Sequence, residues 1–145
     1  MNIEENRSLF YSLREYFLSC PLLKEGSFGL ERLDALFPSG ALLEGEETER
    51  ARYLDGDRIC QFDFLLALCE GQAADTAGAL EAFARLDALA AWMEQQSRRR
   101  FLPFLTGGRQ PLSLAALGQA GARQEAEDRM VWRLRCRLVY CRPAA

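Results

Sequence analysis

The chain has no histidine, and among its 18 basic residues only Lys24 is a lysine. Histidine is the commonest general base and metal ligand because its proton comes off near neutral pH. Ser–His and Cys–His nucleophilic schemes are therefore excluded. The five cysteines (Cys20, Cys60, Cys69, Cys136, Cys141) contain no C-x-x-C pair. A zinc centre wants close ligand pairs, often with histidine, so no metal and no other cofactor is expected. The thiols read as reduced, mostly as small core hydrophobes.

Long apolar runs are missing too. The longest, such as Phe64 to Cys69, fall far short of a bilayer span. The opening Met1-Asn2-Ile3-Glu4-Glu5 lacks the basic start and apolar stretch of a secretion signal, so the expectation is a protein that stays where it is made, away from membranes. A dominant charge is also absent: a net charge of −3 argues against wrapping a nucleic-acid backbone. The arginine excess reads first as the habit of a GC-rich genome and second as selection for arginine chemistry.

What remains is ordinary globular material. At 145 residues, 49% hydrophobic and 27% charged, the chain fits one domain with a sizeable core. Ile3, Phe10, Leu13 and Phe17 recur at helical spacing and predict a helix over 4–18, ended by Pro21. From Gly26 to Glu47 the pattern breaks up: Phe28, Leu30 and Leu33 suggest a short strand, and Phe37-Pro38-Ser39-Gly40 is turn chemistry. Thr48 to Leu54 and Arg58 to Leu68 flank Asp55-Gly56, a tight hairpin signal. In the second of these strands Cys60, Phe62, Phe64, Leu66 and Leu68 share one face, with Gln61 and Asp63 on the other.

Residues 75–99 predict a second helix, with Asp75 or Thr76 capping its start and Leu80, Phe83, Leu86, Ala90 and Met93 along one side. Arg98-Arg99-Arg100 closes it where cations meet the negative end of the helix dipole. Gly107-Gly108 and Gly118 to Gly121 read as turns, and Leu112 and Leu114 as the start of a short strand. Met130 to Tyr140 alternates apolar residues against Val131, Arg133, Arg135, Arg137 and Val139, which predicts a long strand with an arginine row on one face. The order predicts an α+β fold: an antiparallel sheet of four or five strands with two helices on one face.

Three features invite a functional reading. Gly107-Gly108-Arg109 lacks the spacing of a phosphate-binding loop and reads as a plain turn. The acidic run Glu44, Glu46, Glu47, Glu49 lacks the alternation and glycine of a calcium loop and reads as a solvated segment entering a strand edge. Arg133, Arg135 and Arg137 admit two readings. One is cross-strand pairing with carboxylates such as Asp63 and Glu49; the other is a contact surface for an acidic patch on another subunit.

Several stretches resemble a family. They are Tyr53-Leu54-Asp55-Gly56-Asp57-Arg58-Ile59-Cys60-Gln61-Phe62, then Phe83-Ala84-Arg85-Leu86-Asp87-Ala88-Leu89-Ala90-Ala91-Trp92-Met93-Glu94-Gln95-Gln96, then Arg99-Arg100-Phe101-Leu102-Pro103, and Trp132-Arg133-Leu134-Arg135-Cys136-Arg137-Leu138-Val139-Tyr140. From about Arg52 onward the chain resembles small prophage proteins of Gram-positive bacteria that are called minor capsid proteins and are similar to the tail terminators of long-tailed phages. It departs from them around Gly118 to Arg129, where a more aromatic strand is usual.

The resemblance implies a non-enzymatic virion protein that closes into a hexameric ring with its own copies. Such a ring caps the head-proximal end of the tail tube and meets the tail-tube protein and a head-completion protein. DNA passes through its lumen without specific binding. The location implied is the bacterial cytoplasm during assembly and then the virion tail. For the subunit interface the reading names Arg133, Arg135, Arg137, Arg98, Arg99 and Arg100 against Glu46, Glu47 and Glu49. A rival reading is a small cytosolic ligand-binding or regulatory domain; a third is an enzyme using the carboxylates of Asp63 and Glu70.

Overall fold

The computed structural model describes residues 3–23, 27–30, 39–69, 76–126 and 129–144. Helix α1 (Ile3–Leu18) leads through a short 3-10 turn at Pro21–Leu23 to strand β1 (Ser27–Leu30). Strands β2 (Ser39–Arg52) and β3 (Arg58–Cys69) form the hairpin, helix α2 (Thr76–Arg98) follows, and β4 (Gln110–Ala126) and β5 (Arg129–Arg142) close the chain. The five strands make one sheet in the order β1-β2-β3-β5-β4. All neighbours are antiparallel except β1, which joins β2 in parallel.

The C-terminal strand is therefore central, between β3 and β4. Its register against β3 places Phe62 opposite Leu138, Phe64 opposite Cys136 and Leu66 opposite Leu134. These residues are buried beneath both helices: Leu9, Phe10, Leu13 and Phe17 come from α1, and Ala82, Leu86, Leu89 and Met93 from α2. A period of two on the strands and of 3.6 on the helices puts every one of them on a single side of the sheet. The α+β arrangement with two helices on one face is thus the observed one. Edge-to-face contacts of Phe10 on Phe62 and of Phe17 on Phe64 key α1 onto β3. Gly45 in β2 makes the first contact possible, since a Cβ there would run into the rings of Phe62 and Phe10.

Some local expectations shift. Strand β2 begins at Ser39, so Ser39 and Gly40 are strand residues rather than a turn. Gly118 and Gly121 lie inside a 17-residue strand, where their positive φ values of 142° and 85° accompany register shifts against β5. Four such bulges explain why no clean alternation marked β4. On α2 the buried line is Ala82, Leu86, Leu89 and Met93, and Leu80 and Phe83 are exposed, although the Phe83 ring still meets Trp132 edge-on. Leu33, Phe37, Pro38, Glu70 and Asp75 lie outside the described residues. No described helix is long and apolar enough to cross a membrane.

Helix α2 ends in a tight cap. The Phe101 N–H donates to the Gln96 carbonyl at 2.9 Å and the Arg100 N–H to that of Ser97 at 3.1 Å. This paired pattern puts Arg100 in the left-handed region, φ 61°, at a position where glycine is the usual occupant. The segment that follows is tied to α1: the Tyr16 hydroxyl donates to the Phe101 carbonyl at 2.8 Å, and the Ser8 and Thr106 hydroxyls bond at 2.8 Å.

Replacing Leu134 or Leu138 with Ala should cost about 2–5 kcal/mol, because each leaves a void in the closed core; urea unfolding checks it. Burial pushes the Tyr16 phenol up to about 12, so its neutral form is favoured in the fold. That contribution is complete below pH 10, the ordinary value, and is lost as the pH rises toward 12. Tyr16→Phe should remove the hydrogen bond to Phe101, at about 0.5–1.5 kcal/mol near neutrality. It should also flatten the alkaline fall in stability, read from urea midpoints between neutrality and the alkaline limit.

Candidate functional site: the charged face of the sheet

The even-numbered apolar residues of β5 face the helices, so the odd-numbered residues, Val131 and Val139 among them, face away, and no described helix packs on that side. Arg133, Arg135 and Arg137 stand there in a row, opposite Ala67, Leu65 and Asp63 of β3. The three arginines have different partners. Arg137 makes a two-pronged bond to Asp63, Nε to Oδ1 at 2.7 Å and Nη2 to Oδ2 at 3.2 Å. Gln61 adds a third donor to that carboxylate at 3.1 Å. The bond to Asp63 also holds the Arg137 guanidinium above its ordinary pKa. Arg133 turns to β4, donating to the carbonyls of Ala120 at 2.9 Å and Gly121 at 3.4 Å, beside the register shift between Gln119 and Gly121.

Arg135 is exposed and makes no ion pair among the described residues. It borders a shallow concavity of about 430 Å³ with Glu46, Asp63, Leu117 and Arg137. Glu46 lies opposite Asp63 in the ladder and is exposed. The cross-strand reading of the row holds for Arg137, which Asp63 neutralises within the sheet, whereas Arg135 presents its charge outward. Glu49 does not take part; it bonds Arg52 at 3.0 Å and approaches Arg58 at 3.6 Å. Arg52 is the main reason its carboxyl sits below the usual range.

Strand parity separates the acidic run. Glu47 lies opposite Phe62, on the helix side, and its side chain is only 10% exposed. One oxygen is 3.9 Å from Arg142, and the other is buried without a hydrogen-bond partner. Beside it Cys60 is buried, and burial first, then the Glu47 charge, raises the thiol's pKa. The buried Tyr140 hydroxyl also lacks a partner, and the Arg109 guanidinium lies 5.8 Å from the centre of its ring. Sequence reasoning missed this polar group because the register shift between Leu43 and Glu46 decides which side Glu47 takes.

The remaining named residues, Arg98, Arg99 and Arg100, sit at the end of α2 on the helix side and do not join the row on the sheet. Arg98 bonds Glu94 one turn back at 2.8 Å. Arg99 and Arg100 are exposed and make no ion pair among the described residues.

The parity difference has a measurable consequence. Glu46→Lys should leave the urea midpoint almost unchanged, because the side chain is in water. Glu47→Lys should lower stability by about 1–3 kcal/mol, because an enclosed cation would then face the half-buried Arg142.

Among known proteins, no family model matches the chain and no curated sequence matches it.

Proposed function

We propose that the chain is an assembly subunit: a ring-forming tail terminator, carried by a prophage, that caps the head-proximal end of the tail tube and supports head–tail joining. The observation that carries this reading is the one-sided sheet. The face on which no described helix packs offers an outward arginine, Arg135, and an outward carboxylate, Glu46, around a shallow hollow. A surface of this shape suits contact with another protein, since a substrate is normally held in a deeper and more apolar cleft. The resemblance of the stretches quoted above supplies the specific role.

Mechanically, a terminator needs a rim that meets its own copies and two unlike ends. A head-to-tail contact closes into a ring when its rotation closes. The lumen must let DNA slide, and a subunit with a net charge of −3 suits that better than a basic one, since clustered phosphate contacts would grip the duplex. In this reading the protein works in the bacterial cytoplasm and finishes in the virion tail.

The test is tube length. Tail tubes assembled from tail-tube protein alone should grow without limit, and adding this protein should stop them and leave a ring at one end by electron microscopy. Reversing Glu46 and Glu49 to Lys, with Glu47 kept for the fold, should weaken ring closure or docking, most at low salt. Normal capping by that double variant removes charge from the mechanism; failure of the wild type to bind tube protein removes the terminator reading.

A second reading has one observation behind it. The hollow beside Arg135 would suit a small carboxylate or phosphate ligand in a regulatory domain. A thermal-shift screen of simple carboxylates and inorganic phosphate, with Arg135→Ala as control, separates the two.

A further inference from the structure

Two exposed apolar points are held in place on this molecule, one next to a pair of arginines and the other next to a pair of aspartates. The first is the segment after α2. Phe104 is 85% exposed although Pro103 and Leu105 on either side of it are buried. The chain is therefore pinned at both neighbours and the ring is held out. Phe101, also exposed, has its carbonyl fixed by Tyr16, and Arg109 clamps the far end by donating to the Thr106 carbonyl at 2.9 Å. Next to these rings stand Arg99 and Arg100. Arg100 occupies a left-handed position where glycine would avoid a cost of roughly 1 kcal/mol. Strain of this kind, kept on the surface, is a pointer to function.

The second point is the tip of the β2–β3 hairpin. Leu54 is fully exposed and Tyr53 largely so. The turn beneath them is fixed by the Tyr53 N–H donating to the Asp57 carbonyl at 2.8 Å and the Gly56 N–H to that of Tyr53 at 3.0 Å. The Asp57 N–H donates to the Asp55 carboxylate at 2.9 Å, and the Ala144 N–H to the Asp57 carboxylate at 2.9 Å. The nearby Arg52 and Arg58 share the single carboxylate of Glu49, and Asp55 and Asp57 are the charges next to Leu54 in the turn.

We infer that these two points dock on each other between copies: Phe101 and Phe104, flanked by Arg99 and Arg100 of one subunit, receive Tyr53 and Leu54, flanked by Asp55 and Asp57 of the next. The fit is apolar centre to apolar centre with opposite charges around it, and arginine with aromatic residues is the usual make-up of an interface hot spot. Both sides are held in place before contact, so little ordering entropy is lost on docking. Where the contact runs head-to-tail, each subunit keeps one free patch, as growth toward a ring requires, and the wild type then grows past a dimer. The inference rests on the assembly reading and gives it an interface, distinct from the charged sheet face.

The experiment is sedimentation of the whole chain over a concentration series at low and high salt. Wild type should gain mass with concentration and lose it with salt. Phe104→Ser and Leu54→Ser should each stay monomeric, with circular dichroism and melting temperature unchanged, since both side chains lie outside the core. Leu80→Ser, an exposed change on α2, should assemble as wild type. An equimolar mixture of F104S and L54S should give dimers and nothing larger, because each pair has one intact contact. Arg100→Asp, which keeps a residue tolerant of the left-handed region, should weaken assembly about tenfold or more.

If F104S and L54S assemble like wild type, this interface is wrong and the assembly reading survives. Monomeric single variants whose mixture also stays monomeric would overturn the pairing of these two patches. A wild type that is monomeric at millimolar concentration in low salt overturns the self-docking, and tube capping then decides the terminator reading alone.

Discussion

The structure depends on burying one face of the β3–β5 pair. Twelve residue pairs hold these strands in register, and alternate positions send Phe62, Phe64, Leu66, Leu134, Leu138 and Tyr140 to the same side. Apolar surface of that extent cannot stay in water, at about 25 cal/mol for each Å². Both helices are therefore drawn to one side, and Gly45 leaves room for α1 to set Phe10 on Phe62 of β3. The edge strands follow: β4 and β1 extend a sheet whose centre is already decided.

The same constraint distributes the charge. Once the even positions of β5 face the helices, Arg133, Arg135 and Arg137 must face out, where they meet whatever the neighbouring strands supply. One finds Asp63, one finds backbone carbonyls beside a register shift of β4, and Arg135 is left outward. In β2, adjacent glutamates are separated by the sheet: Glu46 stands on the charged face, and Glu47 is enclosed near Arg142. A run of acidic residues that looks like one feature in the sequence is two features in space, with different consequences for folding and for contact.

Away from the sheet, the chain holds two of its apolar side chains outside the core by rigid means. Phe104 sits between buried neighbours, and Leu54 tops a turn closed by four hydrogen bonds. Neither adds to the core, and both are held as a binding surface would need them.

The sequence alone determined the class of fold and the interior. Strict alternation in β3 and β5 and the helical stripe of α1 are short-range signals, because the face of each residue follows from its own strand or helix. The Asp55-Gly56 turn and the arginine row were legible for the same reason, whereas the pairing of Arg137 with Asp63 was one of two open readings until the register of β3 against β5 brought them together. The extent of β4 was not legible, because its bulges break the period that would reveal it. Nor was the start of β2, whose first four residues form the β1 pairing, a contact between separate segments. Tertiary structure alone decided that Glu47 turns inward, that Tyr140 and Cys60 share its surroundings, and that Phe104 stands out between two buried residues. Each of these depends on a register or an anchor supplied by a distant part of the chain, and no local pattern encodes it.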